Sequence, residues 1–209
     1  MTALGVTSKK GFIRTSSAKI GDAVLMTKGA GIEGTSILAT DFRDKLKERG
    51  IREELIRKGQ EFINEISVIN EALTLARIGA SSMHDPTEGG ILCGLAEVAY
   101  SSDVKILVWE KKIIVRNETR IFCEKLGLDP LKLISSGCLI ATLPKNRIEE
   151  AVKELKKLNI KCSIIGEVTE GRGLIVYRKG GVIEEIGEYV EDELFKLWAS
   201  NPEAAYGQD

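Results

Sequence analysis

With 209 residues, the chain is long enough to bury a core without disulfides or metals, and it suits one large domain or two small ones. Its 30 Lys and Arg residues nearly balance its 31 Asp and Glu residues, which argues against binding to nucleic acid or to an anionic membrane. No stretch resembles a signal peptide or a membrane span, so we expect a soluble, cytoplasmic protein.

The four cysteines lie far apart in the chain, each inside an apolar run, at Cys93, Cys123, Cys138 and Cys162. None belongs to a Cys-x-x-Cys pair, so neither a zinc site nor a thioredoxin-like centre is indicated. The pattern favours small buried side chains in a reducing compartment.

The first part of the chain predicts an extended lead-in over residues 1–20, with an edge strand over Gly11–Thr15. Apolar runs and helical spacing then predict one buried strand and three helices, over Asp22–Thr27, 32–49, 52–58 and 64–78. Gly50 and Gly79 are expected to end the first and third of these helices.

The second part predicts short strands over residues 81–84, 104–109, 113–115, 139–143 and 162–168. Between and after them, amphipathic spacing predicts helices that end near Tyr100, over 118–126, over 145–158 and over 191–199. Lys179-Gly180-Gly181 separates two apolar runs and predicts a hairpin between 174–177 and 182–186. Asn201–Asp209 is expected to be a frayed tail.

Strands and helices alternate, but the hairpin and several short strands break a strict βαβ order. The expected fold is therefore an α+β, three-layer α/β/α sandwich with a mixed sheet, occupying residues 21–199 between the lead-in and a tail over 200–209. Neither Gly-x-Gly-x-x-Gly after a strand nor a P-loop motif occurs, so a doubly wound nucleotide fold is disfavoured.

A turn rich in glycine, residues 83–90, joins a predicted strand to a predicted helix. Pro86 prevents a helix from running through this point, Thr87 can cap the next helix, and Glu88 places a negative charge in its first turn. Gly89 and Gly90 let a ligand or another backbone approach, and the free N–H groups of a helix start favour an anion. The alternative interpretation is a capped helix whose glycines only permit close packing.

A second such turn, residues 28–35, has the same strand-to-helix setting. Both turns are expected to meet at one cleft, with their amide hydrogens directed at a shared phosphate. Glu33 and Asp85, and less readily Glu88, are candidate magnesium ligands. The predicted phosphate-binding and substrate-binding residues are Lys28, Gly29, Gly31, Glu33, Gly34, Thr35, Asp85, Thr87, Gly89, Gly90, Ser136 and Gly137.

His84 is the only histidine in the chain and is adjacent to Asp85. The pair is a candidate for acid–base catalysis, although a single histidine is more often a strand residue with a satisfied hydrogen bond. No Ser-His-Asp or Cys-His set is evident from the order of residues.

These motifs, together with Gly21-Asp22 and Ser135-Ser136-Gly137-Cys138-Leu139, resemble the C-terminal domain of the AIR synthase-related superfamily, in particular its hydrogenase-maturation branch. The resemblance covers about Gly5 to Glu185. It implies an ATP- and magnesium-dependent enzyme that activates its substrate by phosphoryl transfer, with this domain holding a phosphorylated small molecule or a protein tail.

The resemblance also implies an N-terminal ATP-binding domain, which we expect to be missing or separate, so that this chain alone is not active. Loss of that neighbour predicts an exposed apolar surface and self-association into a homo-oligomer such as a homodimer, or docking to an ATP-binding subunit. The hydrogenase-maturation proteins end in a cysteine that the tail here lacks, so carbamoyl dehydration is not expected. The alternative hypothesis is a non-catalytic scaffold or regulatory module that keeps the fold.

Overall fold

The computed structural model of the protein describes residues 4–6 and 12–200. Seven strands form one sheet in the order β2-β4-β1-β5-β3-β6-β7, and only the neighbours β3 and β6 are parallel. The strands are β1 Asp22–Thr27, β2 Ser82–His84, β3 Lys105–Trp109, β4 Ile140–Pro144, β5 Cys162–Thr169, β6 Gly173–Tyr177 and β7 Ile183–Ile186. The sheet is therefore mixed, as predicted.

Within residues 12–200, eight helices connect and flank the strands. They are α1 Ile32–Asp41, α2 Arg43–Glu48, α3 Glu53–Gln60, α4 Ile69–Ile78, α5 Gly90–Ser101, α6 Asn117–Leu126, α7 Ile148–Lys157 and α8 Glu193–Ser200. Short 3₁₀ turns occupy Thr15–Ser17, Glu61–Glu65, Glu110–Lys112 and Lys145–Arg147.

The central strand β1 is buried along its whole length because helices cover both of its faces. Successive side chains of a strand point to opposite faces. Val24 and Met26 accordingly belong to a core shared with α5, whereas Ala23 and Leu25 belong to a core shared with α4 and α7. This arrangement is the predicted three-layer α+β sandwich.

A third apolar cluster joins α1, α2, α3, α6 and α8 around the fully buried ring of Phe122. Phe42 belongs to this cluster, and its backbone (φ −109°, ψ 23°) interrupts the helix predicted over 32–49, giving α1 and α2 instead.

Three predicted elements differ from the structure. The helix expected over 64–78 begins only at Ile69, because the carbonyls of Glu65 and Ser67 accept hydrogen bonds from the Lys28 ammonium, at 2.9 and 2.6 Å. Residues 113–115 form a single bridge, Ala30 to Val115, rather than a strand. The edge strand expected over Gly11–Thr15 is absent from its described part, Phe12–Thr15, and Gly11 and the tail 201–209 lie outside the described residues.

The cysteines are all free thiols in the structure, with Cys93, Cys123 and Cys138 buried and Cys162 partly buried. Burial raises the pKa of Cys123 and of Cys138 to about 12, so both remain protonated at neutral pH. Across the described residues, no helix combines the length and the apolar character needed to cross a membrane.

Candidate functional site

The predicted site residues lie along one edge of the sheet, the edge formed by strand ends, where β1 and β2 finish and β4 and β5 begin. The register pairs Met26 and His84 with Ile140, and Thr27 with Cys162. The residues that follow β1 and β2 therefore lie beside those that precede β4 and β5. This edge collects both glycine-rich turns and the loop over 131–139.

The first turn is closed by hydrogen bonds inside the protein. Gly31 has a left-handed backbone (φ +71°), and its N–H donates to Ser135 Oγ at 2.8 Å. The N–H groups of Glu33 and Gly34 donate to the carbonyls of Ser136 and Ile134, at 3.2 and 3.0 Å. These three amides therefore do not point into an open cleft, which corrects that part of the predicted mechanism.

The second turn is occupied by an anion that the protein itself supplies. The N–H of Gly89 donates to Asp192 Oδ2 at 2.8 Å, and the N–H of Leu194 donates to Asp192 Oδ1 at 2.9 Å. Burial raises the pKa of Asp192, although the two N–H bonds act in the opposite direction. Sequence reasoning missed this residue, which lies 103 positions away from Gly89.

The predicted cap of α5 is wrong. The N-cap is Gly89 (φ +72°) without a side-chain cap bond, and no acidic residue occupies the first turn of the helix, so Glu88 lies outside it. The Thr87 hydroxyl instead donates to the carbonyl of Asp85 at 3.4 Å. At the helix start, the Asp192 carboxylate accepts from the N–H of the N-cap residue Gly89 instead.

Both turns lie on the same side of the molecule, and Ser135 links them. Its Oγ accepts from Gly31, and its N–H donates to the carbonyl of Thr87 at 3.2 Å. A methyl group at Gly90 would lie 2.7 Å from the carbonyl oxygen of Leu133, in the same loop. The two turns therefore meet, as predicted, but through a packed loop rather than through a shared ligand.

Asp85, Glu33 and Lys28 form a charged cluster next to Gly137. Burial of its carboxyl group raises the pKa of Asp85, although the residue as a whole is exposed; the N–H bond from Gly137 and the charges of His84 and Lys28 lower it, and Glu33 raises it. The predicted residues Glu33, Asp85 and Gly137 are thus close enough to interact.

The polar groups of Lys28 and Thr35 already have partners within the protein. The Lys28 ammonium makes an ion pair of 2.8 Å with Glu71, which is 1% exposed, and also donates to the carbonyls of Glu65 and Ser67. Thr35 is fully buried, and its hydroxyl bonds the carbonyl of Gly31 and the hydroxyl of Thr119. Gly29 is also buried, beside Ile114 and Arg116.

His84 points toward α5. Its Nε2 lies 2.6 Å from Glu97 Oε2, and its Nδ1 lies 3.1 Å from Thr15 Oγ1. Because a carboxylate only accepts, Nε2 donates to Glu97, and Nδ1 shares a hydrogen bond with the Thr15 hydroxyl. The partner Glu97 gave no signal in the sequence, and acid–base catalysis by His84 and Asp85 stays a prediction.

A cavity of about 300 Å³ opens beside the charged cluster and contains two basic residues that sequence reasoning missed, Arg116 and Lys161. Within residues 12–200, no group of three or more His, Cys, Asp or Glu side chains is arranged to hold a metal ion. Carboxylates alone therefore do not form a metal cage at this edge of the sheet.

Residues 19–179 match the family model described as AIR synthase related protein, C-terminal domain. The chain belongs to this family. Its match includes both glycine-rich turns, the Ser135 loop and the charged cluster. The resemblance noted from the motifs is therefore confirmed for the domain.

Several relatives of this AIR synthase-related domain are named as hydrogenase expression/formation proteins or as carbamoyl dehydratases. The chain is 29% identical over 180 residues to a hydrogenase expression/formation protein of Methanocaldococcus jannaschii, covering 83% of this chain and 50% of that protein. It is 30% identical over 176 residues to carbamoyl dehydratase HypE of Azotobacter vinelandii, covering 80% and 47%. The chain thus spans about half the length of these relatives.

Solved structures share the same fold. A crystal structure of HypE from Escherichia coli gives a TM-score of 0.70 at 25% identity, covering 87% of this chain and 54% of that one. HypE in complex with ATP gives a TM-score of 0.63 at 23% identity, covering 87% and 54%. The AIR synthase-related domain therefore has the α+β fold of the HypE proteins.

Proposed function

We propose that this chain is the phosphate- and substrate-binding domain of an ATP-dependent, AIR synthase-like enzyme of the hydrogenase-maturation type. The observation that carries the proposal is the cluster of Lys28, Glu33 and Asp85 at the sheet edge of a domain that belongs to this family. The chain spans about half the length of these relatives, and the proposal includes an ATP-binding domain that acts together with it.

Magnesium fits this cluster when a phosphate is present. Mg²⁺ is usually held by one or two carboxylates together with substrate phosphates and water, and Glu33 and Asp85 provide two carboxylates. When bound, the ion would neutralise phosphate charge. Gly137 lies beside the Asp85 carboxyl group, and its N–H favours the charged form by lowering the pKa of Asp85.

A band of exposed apolar side chains borders the cluster and gives a surface for a partner. Ile63, Ile66, Ile69 and Leu73 are 48, 37, 64 and 54% exposed, along the 3₁₀ turn and α4. A methyl group at Gly137 would lie 2.9 Å from the Cα of Ile66, so the band adjoins the Asp85 cluster. Apolar patches next to a charged site are typical of protein interfaces, which supports docking of an ATP-binding domain or of a second copy.

Calorimetric titration with Mg-ATP tests the proposal, using the chain alone and mixed with the half of the M. jannaschii relative that it does not match. We expect tighter ATP binding in the mixture than in either component. Asp85→Asn should weaken that binding about tenfold, equivalent to one charge-assisted interaction. Asp44→Asn, which removes an exposed carboxylate on α2, is the control and should have no effect.

The second candidate function is a scaffold or regulatory module without ligand chemistry. The internal hydrogen bonds of Gly31, Gly34 and Gly89 favour it, because these amides are not free for a phosphate. Under this alternative, Asp85→Ala leaves ATP binding by the mixture unchanged. Absence of ATP binding in every combination would reject the enzymatic proposal.

A further inference from the structure

The cavity beside the charged cluster is lined by Lys28, Glu65, Arg116, Asn159, Ile160 and Lys161, and has a volume of about 300 Å³. It lies where β1 ends and β5 begins, since the N–H of Lys28 donates to the carbonyl of Lys161 at 2.7 Å. Three of its six lining residues are basic and one is acidic. The cavity is therefore suited to an anion rather than to an apolar ligand.

Arg116 is held in a fixed position at this cavity. Its guanidinium stacks 3.6 Å above the ring of Phe62, which is buried, and its Nη1 lies 2.7 Å from Glu65 Oε1. A guanidinium has five N–H donors in a rigid fork, and Glu65 engages one nitrogen. Among residues 12–200, the other guanidinium nitrogens have no hydrogen-bond partner. Because Phe62 and Glu65 already fix the side chain, Arg116 would lose little conformational entropy when these nitrogens bind a ligand.

Lys161 supplies the charge that the cavity does not neutralise. Its side chain is exposed, and none of the ion pairs in the described part of the chain includes it. Lys28 is balanced by Glu71 and Arg116 by Glu65, which leaves Lys161 as the excess positive charge. An anion bound in the cavity would neutralise the positive charge of Lys161.

The cavity is connected to the Asp85 cluster through Glu65. A methyl group at Gly137 would lie 3.1 Å from the Glu65 carbonyl oxygen, and the backbone of Gly137 lies beside the Asp85 carboxyl group. Basic side chains on one side of Glu65 thus adjoin carboxylates on the other. Such an arrangement suits a phosphorylated ligand, because basic side chains bind the phosphate oxygens and carboxylates bind the magnesium ion that accompanies them.

We propose that the cavity binds the phosphate or diphosphate group of the substrate, with Arg116 donating two hydrogen bonds and Lys161 acting as a point charge. The inference rests on the proposed function and assigns the phosphate to these side chains instead of to the glycine amides. A diphosphate suits the site better than a carboxylate. One carboxylate would neither fill a cavity of about 300 Å³ nor contact two separate cationic groups.

Titration of the chain with sodium pyrophosphate, without nucleotide, tests the proposal. Lys161→Gln and Arg116→Lys should each weaken binding about tenfold, as expected for the loss of one charge-assisted contact or of the bidentate fork. Lys156→Gln is the matched control, because Lys156 is an exposed lysine that lines the adjacent pocket on the far side of Asn159–Lys161. It should change the affinity less than twofold, and circular dichroism should show that all three variants are folded.

The proposal is overturned if pyrophosphate does not saturate the chain at millimolar concentration, or if Lys156→Gln weakens binding as much as Lys161→Gln. The result also separates this site from the proposed function. Pyrophosphate binding that depends on Lys161, in a chain whose mixture does not bind Mg-ATP, supports the anion site and rejects the enzymatic role. Mg-ATP binding by the mixture that is unaffected by Lys161→Gln rejects the anion site alone.

Discussion

The Asp192 carboxylate accepts a hydrogen bond of 2.8 Å from the backbone N–H of Gly89, the N-cap residue of α5. A helix N-terminus favours negative charge, and here that charge comes from the segment leading into α8. The motif at residues 83–90 therefore holds together two parts of the chain 103 positions apart. Its glycines are required by this packing, since a methyl group at Gly89 would lie 2.3 Å from the carbonyl oxygen of Val190.

Asp192→Asn should destabilise the fold by about 1–3 kcal/mol, because the new amide NH₂ faces one of the two N–H donors that Asp192 now satisfies. Urea unfolding followed by circular dichroism measures the difference. Since the pKa of Asp192 is raised, its contribution is largest below the ordinary aspartate pKa and falls as the pH rises through the folded pKa. The gap between wild type and variant should therefore narrow from acidic to neutral pH, and a gap that widens with pH would contradict this assignment.

Removing either partner of the Lys28–Glu71 ion pair should destabilise the protein by about 3–5 kcal/mol, because it leaves a buried charge uncompensated. Lys28→Met and Glu71→Leu are the single variants, and the double variant should recover much of the loss. Thermal unfolding of the four proteins gives the coupling energy. The control is Glu54→Gln, which breaks the exposed pair with Lys58 and should leave the melting temperature unchanged. Additive single effects would contradict a direct ion pair.

Much of the fold could be predicted from local patterns. The strand Asp22–Thr27 was predicted with its observed bounds, and the hairpin at Gly180-Gly181 was recognised because apolar runs and glycines carry these signals over a few residues. The start of α4 at Ile69 was missed, because Lys28 engages the carbonyls of Glu65 and Ser67. A contact between residues almost forty positions apart has no local signature in the sequence.

The meeting of the two glycine-rich turns was predicted, but the groups that they contact were not. Glycine-rich turns indicate where a backbone must approach something closely, and both turns do lie at one edge of the sheet. What they approach was not predictable: Ser135 for Gly31 and Asp192 for Gly89, each more than a hundred residues away. The same residue types support a phosphate site or a packed loop, and only tertiary contacts separate the two.

Gly34→Ala tests whether the first turn is a packing site. A methyl group at Gly34 would lie 2.4 Å from Leu133 Cγ and 2.9 Å from the carbonyl oxygen of Ile134, so we expect a loss of about 1–3 kcal/mol in unfolding free energy. Gly187→Ala is the control, because no atom lies within 4 Å of the added methyl group. It should be neutral or slightly stabilising. Equal changes in unfolding free energy for the two substitutions would show that the close contacts at Gly34 do not contribute to stability.

The exposed band on α4 should determine association. Ile69 and Leu73 are one helical turn apart and therefore share a face, so Ile69→Asp with Leu73→Asp places two charges in the centre of the band. We expect the double variant to be monomeric by sedimentation velocity at concentrations where the wild-type chain self-associates or binds an ATP-binding partner domain. Leu158→Asp, on a side chain that is 46% exposed at the end of α7, is the matched control and should associate like wild type. A wild-type chain that stays monomeric and does not bind the partner domain, or a double variant that associates normally, would place any interface elsewhere on the domain.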